Sequence, residues 1–203
     1  MVIVKKIITN ILVAIYQPFW MAVILSFFTL FFYLFAFCKN EAGNGIKESV
    51  KIWVAHLKKS SFFRKLYALC FCTSLILFRT VLYRSLWVNP LSDVMGGWWI
   101  WKTSSDGTVT LTTECFENIL LMFPFTILLM WTMNEKLVKK LSFRSIVFKS
   151  TKIAFYFSLA IEFSQLLFRL GTFQISDIFY NTVGGCLGGL VYGIGWRIAE
   201  KRK

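Results

Sequence analysis

Five apolar runs divide this chain, at 7–38, 66–83, 118–133, 153–168 and 178–194. A hydrocarbon layer about 30 Å thick takes roughly 20 helical residues per crossing. Each of the last four runs approaches that length. A chain of 203 residues has room for four to six such crossings and none for a separate soluble domain. Composition agrees. Hydrophobic residues make up 57% and charged residues 16%, against roughly a half and a quarter in soluble proteins. This excludes a disordered chain, which requires low hydrophobicity, and a water-soluble globule. The expected fold is all-α: a polytopic transmembrane helical bundle of about five spans.

The first run is too long for one upright helix, since 32 residues rise about 48 Å. Gln17-Pro18 interrupts it, and proline suits the first helical turn, where its missing N–H costs nothing. The span therefore starts near Pro18. Residues 1–16 form either an interfacial segment or the far end of a kinked helix. The run exceeds a signal-peptide core and lacks a following small-residue cleavage site, so it is expected to remain as an anchor. The expected organisation is an N-terminal span with a basic interfacial segment over 1–65, followed by a four-span membrane domain over 66–203.

Lysines and arginines set the orientation. Lys39, Lys47, Lys51, Lys58, Lys59, Arg64 and Lys65 precede the second span. Lys136, Lys139, Lys140, Arg144, Lys149 and Lys152 follow the third, and Arg197, Lys201, Arg202 and Lys203 end the chain. The alternate connections hold only Arg84, Lys102 and Arg169. The basic loops are expected in the cytoplasm of a multi-pass cell-membrane protein. Lys5 and Lys6 argue the other way, because five spans put the N-terminus outside. A re-entrant or doubly spanning first segment would remove the conflict.

Within the basic 39–65 segment, Val50, Trp53, Val54 and Leu57 fall at i, i+3, i+4 and i+7. That spacing predicts an amphipathic helix on the anionic inner leaflet. The net charge of +13 follows from such loops, so nucleic acid is not an expected partner. The 84–116 segment is predicted external and carries Trp87, Trp98, Trp99 and Trp101, an aromatic belt at the headgroup boundary. Ser105-Asp106-Gly107 between β-favouring residues predicts a small hairpin.

Ionisable groups inside spans are costly and are functional candidates by default. Arg79 lies near the outer end of span two, and Glu117 with Asn118 opens span three. Glu162, Gln165 and Arg169 share one face of span four, with Glu162 about 15 Å above Lys152. Asp177, Asn181, Gly184 and Gly188 share one face of span five. These groups meet in the outer half of the membrane, where arginines near carboxylates would neutralise one another. The alternative is polar glue between helices. Gly184, Gly185 and Gly188 are assigned to close helix packing. The five cysteines match no metal-ligand spacing, and His56 is the only histidine. No metal or cofactor is expected.

Four stretches carry a family resemblance: Asn118-Ile-Leu-Leu-Met-Phe-Pro124-Phe125, Glu162-Phe-Ser-Gln165, Leu170-Gly-Thr-Phe-Gln-Ile-Ser-Asp177-Ile178 and Asn181-Thr-Val-Gly-Gly185. Over roughly 66–195 the chain resembles the VanZ-like family, the group named after the teicoplanin-resistance protein. Gln174 and Ser176 stand where many members carry acids, and Thr126 where a glycine is usual. Fewer carboxylates argue against a divalent cation, which takes several. The resemblance implies a multi-pass membrane protein contributing to glycopeptide or lipoglycopeptide resistance. It is expected to act without catalysis at the outer leaflet, through the cluster of Arg79, Asn118, Glu162, Gln165, Arg169, Asp177 and Asn181. Expected partners are membrane lipids, with a lipid-linked cell-wall precursor or a lipoglycopeptide as the specific ligand. The alternatives are an intramembrane enzyme, using Glu162 or Asp177 as acid or base, and a flippase for a lipid-linked envelope substrate.

Overall fold

Helices break where turn residues and polar runs fall in the chain. The computed structural model describes residues 2–38, 45–103, 107–138 and 141–202. Among these are seven α-helices: α1 (Val2–Tyr16), α2 (Phe19–Phe32), α3 (Ile46–Lys59), α4 (Ser61–Leu77), α5 (Glu114–Leu137), α6 (Phe143–Phe168) and α7 (Ile175–Glu200). The π-helical turns Tyr33–Phe37 and Phe78–Leu82 extend α2 and α4. Lys39, Lys139 and Lys140 lie outside the described residues, as does the 104–106 part of the expected hairpin turn. Its arms are present: β1 (Trp101–Thr103) pairs antiparallel with β2 (Val109–Leu111).

Gln17-Pro18 divides the first apolar run into two helices. Helix α1 runs beside α5, and its Lys6 donates to the Leu111 carbonyl at 2.8 Å and its Asn10 to Thr113 Oγ1 at 2.7 Å. Lys6 therefore sits at the end of the 84–113 connection, which we call the loop end. Ser60 caps α4 by accepting from the Phe63 N–H, and Ser142 caps α6 by accepting from the Ser145 N–H. Pro124 does not end α5; the helix runs through it and bends at Met133, whose φ/ψ is −132°/17°.

Three buried clusters hold the bundle, one of them joining Met130 of α5 to Ile146 of α6. Leu69, Cys72 and Ile76 of α4 meet Met122 and Phe125 of α5 and Ile161 of α6. At the opposite, basic end, Leu30 of α2 packs with Trp53 of α3 and Phe63 and Leu66 of α4. The stripe expected in the basic segment thus turns Trp53 into the bundle, while Lys51, Lys58 and Lys59 remain exposed.

Helix α7 is wedged between α5 and α6, and its glycines make the wedge possible. A Cβ at Gly184 would lie 2.3 Å from the Ile119 carbonyl oxygen of α5, and one at Gly188 2.5 Å from that of Phe123. On the other side, a Cβ at Gly185 would meet Ala154 of α6 at 2.1 Å. Only side chains lacking a Cβ let backbones approach this closely.

Three of the helical stretches are long and apolar enough to cross a membrane: Phe19–Phe37, Ser61–Leu82 and Glu114–Leu137. The sequence predicts five. Helices α6 and α7 have 26 residues each, enough for about 39 Å, but are less apolar. Glu162 and Gln165 of α6 and Asn181 of α7 are buried against neighbouring helices, so these faces meet protein and need not be apolar. The chain is a mostly helical membrane protein.

Candidate functional site

At the loop end, two connections are stitched together by backbone hydrogen bonds. The Trp87 N–H donates to the Arg169 carbonyl, Phe173 to Pro90, and Ile175 to Val94, at 2.7, 2.9 and 2.9 Å. Gly96 packs against Ser176, with φ at +67° and no room for a Cβ. This ties the 84–97 segment to the α6–α7 connection and closes one wall of a cavity of about 460 Å³. The π-helical turn after α4, the first turns of α5 and α7, and Gln17-Pro18 between α1 and α2 contribute to the rest.

The lining is strongly charged. Arg79 and Arg84 face Asp93, Glu114, Glu117 and Asp177. Arg79 forms an ion pair with Glu117. The other Glu117 oxygen accepts from Thr113 Oγ1 at 2.6 Å, and Thr113 Oγ1 in turn accepts from Asn10 of α1. A relay of polar contacts therefore joins α1, α5 and the π-helical turn. Asn118 Nδ2 donates to Asp177 at 2.7 Å. Gln174 Nε2 donates to Asp93 at 3.3 Å and Thr172 at 3.0 Å.

Beneath the lining, Glu162 is 1% exposed and accepts the Gln174 N–H at 2.7 Å. This bond anchors the residue before α7. Gln165 Nε2 donates to the Thr80 carbonyl at 2.7 Å, pinning the π-helical turn that carries Arg79. Asn181 Nδ2 donates to Ser158 at 2.8 Å, one turn deeper. Among the described residues, its buried Oδ1 has no hydrogen-bond partner.

Of the residues that spacing singles out, Arg79, Asn118 and Asp177 line the cavity, and Glu162 and Gln165 support it from behind. Asn181 lies below. Arg169 is not among the lining residues: it ends α6 in the left-handed conformation, φ 55°, and is exposed. Arg84 lines the cavity and provides the second cation instead. Spacing does not reveal Arg84, Asp93, Glu114 or Gln174. Three of them lie outside regular helix and one in the first turn of α5. Arg84 and Glu114 differ from the other charged lining residues. Among the described residues, neither side chain makes a hydrogen bond or an ion pair. Among the described residues there is also no group of three His, Cys, Asp or Glu poised to hold a metal ion.

Comparison with known proteins adds two findings. The sequence model of the VanZ/LLP1 family matches residues 19–196. Protein VanZ of Enterococcus faecium is 33% identical over 92 residues, which are 44% of this chain and 50% of that protein. The chain thus matches about half the length of that relative. No solved structure matches it.

Proposed function

This chain belongs to the VanZ/LLP1 family, and from that premise we propose that it contributes to resistance to teicoplanin-type glycopeptides from within the cell membrane. It crosses the membrane five times, with α2, α4, α5, α6 and α7 as spans. The basic loops and the C-terminal tail are cytoplasmic, and the tryptophan-bearing 84–113 connection is external. The protein acts at the outer leaflet by engaging a membrane-embedded ligand, a lipid-linked cell-wall precursor or a lipoglycopeptide, rather than by turning it over. Residues Arg79, Asn118, Glu162, Gln165, Asp177 and Asn181 make or support the site.

One observation carries this reading: a charged cavity of about 460 Å³ sits at the ends of membrane-length helices. Polar groups at such a place are expensive. Register between helices requires buried contacts only, whereas this cavity is open and lined by two arginines and four carboxylates. The test is teicoplanin susceptibility of a sensitive host producing Asp177→Asn or Arg79→Gln, with the amount of membrane-inserted protein measured alongside. Susceptibility should return to that of the host lacking the protein at unchanged protein level. Full resistance from both variants would leave the charges as structural glue.

A further inference from the structure

A second, apolar groove of about 290 Å³ adjoins the polar cavity. Its walls are Ile11, Ala14 and Ile15 of α1, Cys72 and Leu75 of α4, and Leu120 and Pro124 of α5. The two spaces share Glu117 and Leu121. The Arg79–Glu117 ion pair thus stands at their junction, polar on one side and hydrocarbon on the other. Helix α1 forms one wall of the groove, and its Ala14 is 8% exposed.

We infer that the two spaces together bind one aminophospholipid, with its headgroup in the polar cavity and one acyl chain in the groove beside α1. The inference rests on the outer-leaflet reading above and specifies its ligand. A charged cavity and an apolar groove that adjoin across Glu117 and Leu121 suit an amphiphile better than a purely polar solute. The headgroup follows from Arg84 and Glu114, the two charged lining side chains that are exposed and hold no hydrogen-bonded or ion-paired partner among the described residues. Arg84 offers a planar fork of N–H donors, which suits a phosphate diester. Glu114 offers acceptor oxygens, which suit an ammonium carrying N–H. The other lining charges are already engaged: Arg79 with Glu117, Asp177 with Asn118, and Asp93 with Gln174. A phosphoethanolamine headgroup supplies a partner for each of Arg84 and Glu114 on one molecule. A phosphoglycerol headgroup supplies only the anion.

The experiment titrates the purified full-length protein in detergent with dihexanoyl phosphatidylethanolamine, read by tryptophan fluorescence, since Trp87 lines the cavity. Dihexanoyl phosphatidylglycerol and glycerophosphoethanolamine serve as the arms lacking ammonium and chains. Phosphatidylethanolamine should bind about ten-fold more tightly than phosphatidylglycerol, the size of one charge-assisted contact. Glu114→Gln should erase that preference, and Arg84→Gln should weaken both lipids, with Arg84→Lys partly restoring them. Ala14→Phe should weaken the lipids and leave the chainless headgroup unchanged. Thermal melts of each variant identify those that fold. Equal binding of both lipids by the wild type and every folded variant means annular association only and overturns the inference. Resistance that needs Arg84 while lipid selectivity is absent sinks this inference alone. Selectivity that needs Arg84 while resistance does not sinks the functional reading of the cavity and leaves the lipid site standing.

Discussion

Arg79 and Glu117, 38 positions apart, form an ion pair between the π-helical turn after α4 and the first turn of α5. Glu117 is about 10% exposed and Arg79 37%, so the carboxylate depends on the pair more than the guanidinium does. Removing a charge-assisted partner of a buried group costs about 1.5–3 kcal/mol. Arg79→Gln should therefore lower the thermal midpoint in detergent. Adding Glu117→Gln should recover part of the loss, because no buried carboxylate is then left unpaired. A double-mutant cycle measures this. Strictly additive losses would mean that the pair is not coupled.

The glycines of α7 predict opposite effects from one chemical change. Gly188→Ala drives a methyl to within 2.5 Å of the Phe123 carbonyl oxygen, and the helices must separate. A Cβ at Gly195 meets nothing within 4 Å. Gly195→Ala should be neutral or stabilise by about 0.5–1 kcal/mol through the reduced freedom of the unfolded backbone. Gly188→Leu should prevent packing of α7 altogether. Thermal melts of the three variants in one detergent provide the measurement, and equal melts would remove α7 from its place between α5 and α6.

How far the sequence discloses the site depends on what kind of segment each residue occupies. Helical periodicity places Asp177, Asn181, Gly184 and Gly188 on one face, and all but Asp177, which lines the cavity, are buried. Periodicity fails for Arg169, because α6 ends at Phe168 and the backbone turns left-handed there. Gly171, two residues on with φ +96°, is the local signal for that stop. Arg84, Asp93 and Gln174 lie in connections, whose path is set by long-range backbone pairing such as Trp87 with Arg169. No periodic rule reaches that pairing. The apolarity of a run likewise identifies α2, α4 and α5 as membrane-length helices. The same reading predicts spans in α6 and α7, which are less apolar and turn polar residues to protein.

Orientation is open to direct labelling. In a background with all five cysteines replaced, Val88→Cys should react with a membrane-impermeant maleimide in intact cells. Val88 is 96% exposed in the loop-end connection. Lys58→Cys, on the exposed face of α3, should react only after lysis. The reverse pattern would put the basic loops outside, against the positive-inside rule.

Glu162 separates a functional carboxylate from a structural one. It is buried and accepts the Gln174 N–H, so Glu162→Gln retains an acceptor oxygen and nearly the same shape while removing the ionisable carboxyl. Gln165→Leu removes the bond to the Thr80 carbonyl without touching a charge. That loss should cost about 1–3 kcal/mol, the range for leaving a buried group unsatisfied. If the cavity works through its electrostatics, Glu162→Gln should lose resistance with folding little changed. Gln165→Leu should lose thermal stability first, and resistance only in proportion to the folded protein left. Glu162→Ala should show both defects, since it also releases the Gln174 N–H that starts α7. Membrane protein level, melting and teicoplanin susceptibility measured on all three variants decide it. Normal resistance from Glu162→Gln at normal level would assign Glu162 to holding α7 and nothing more.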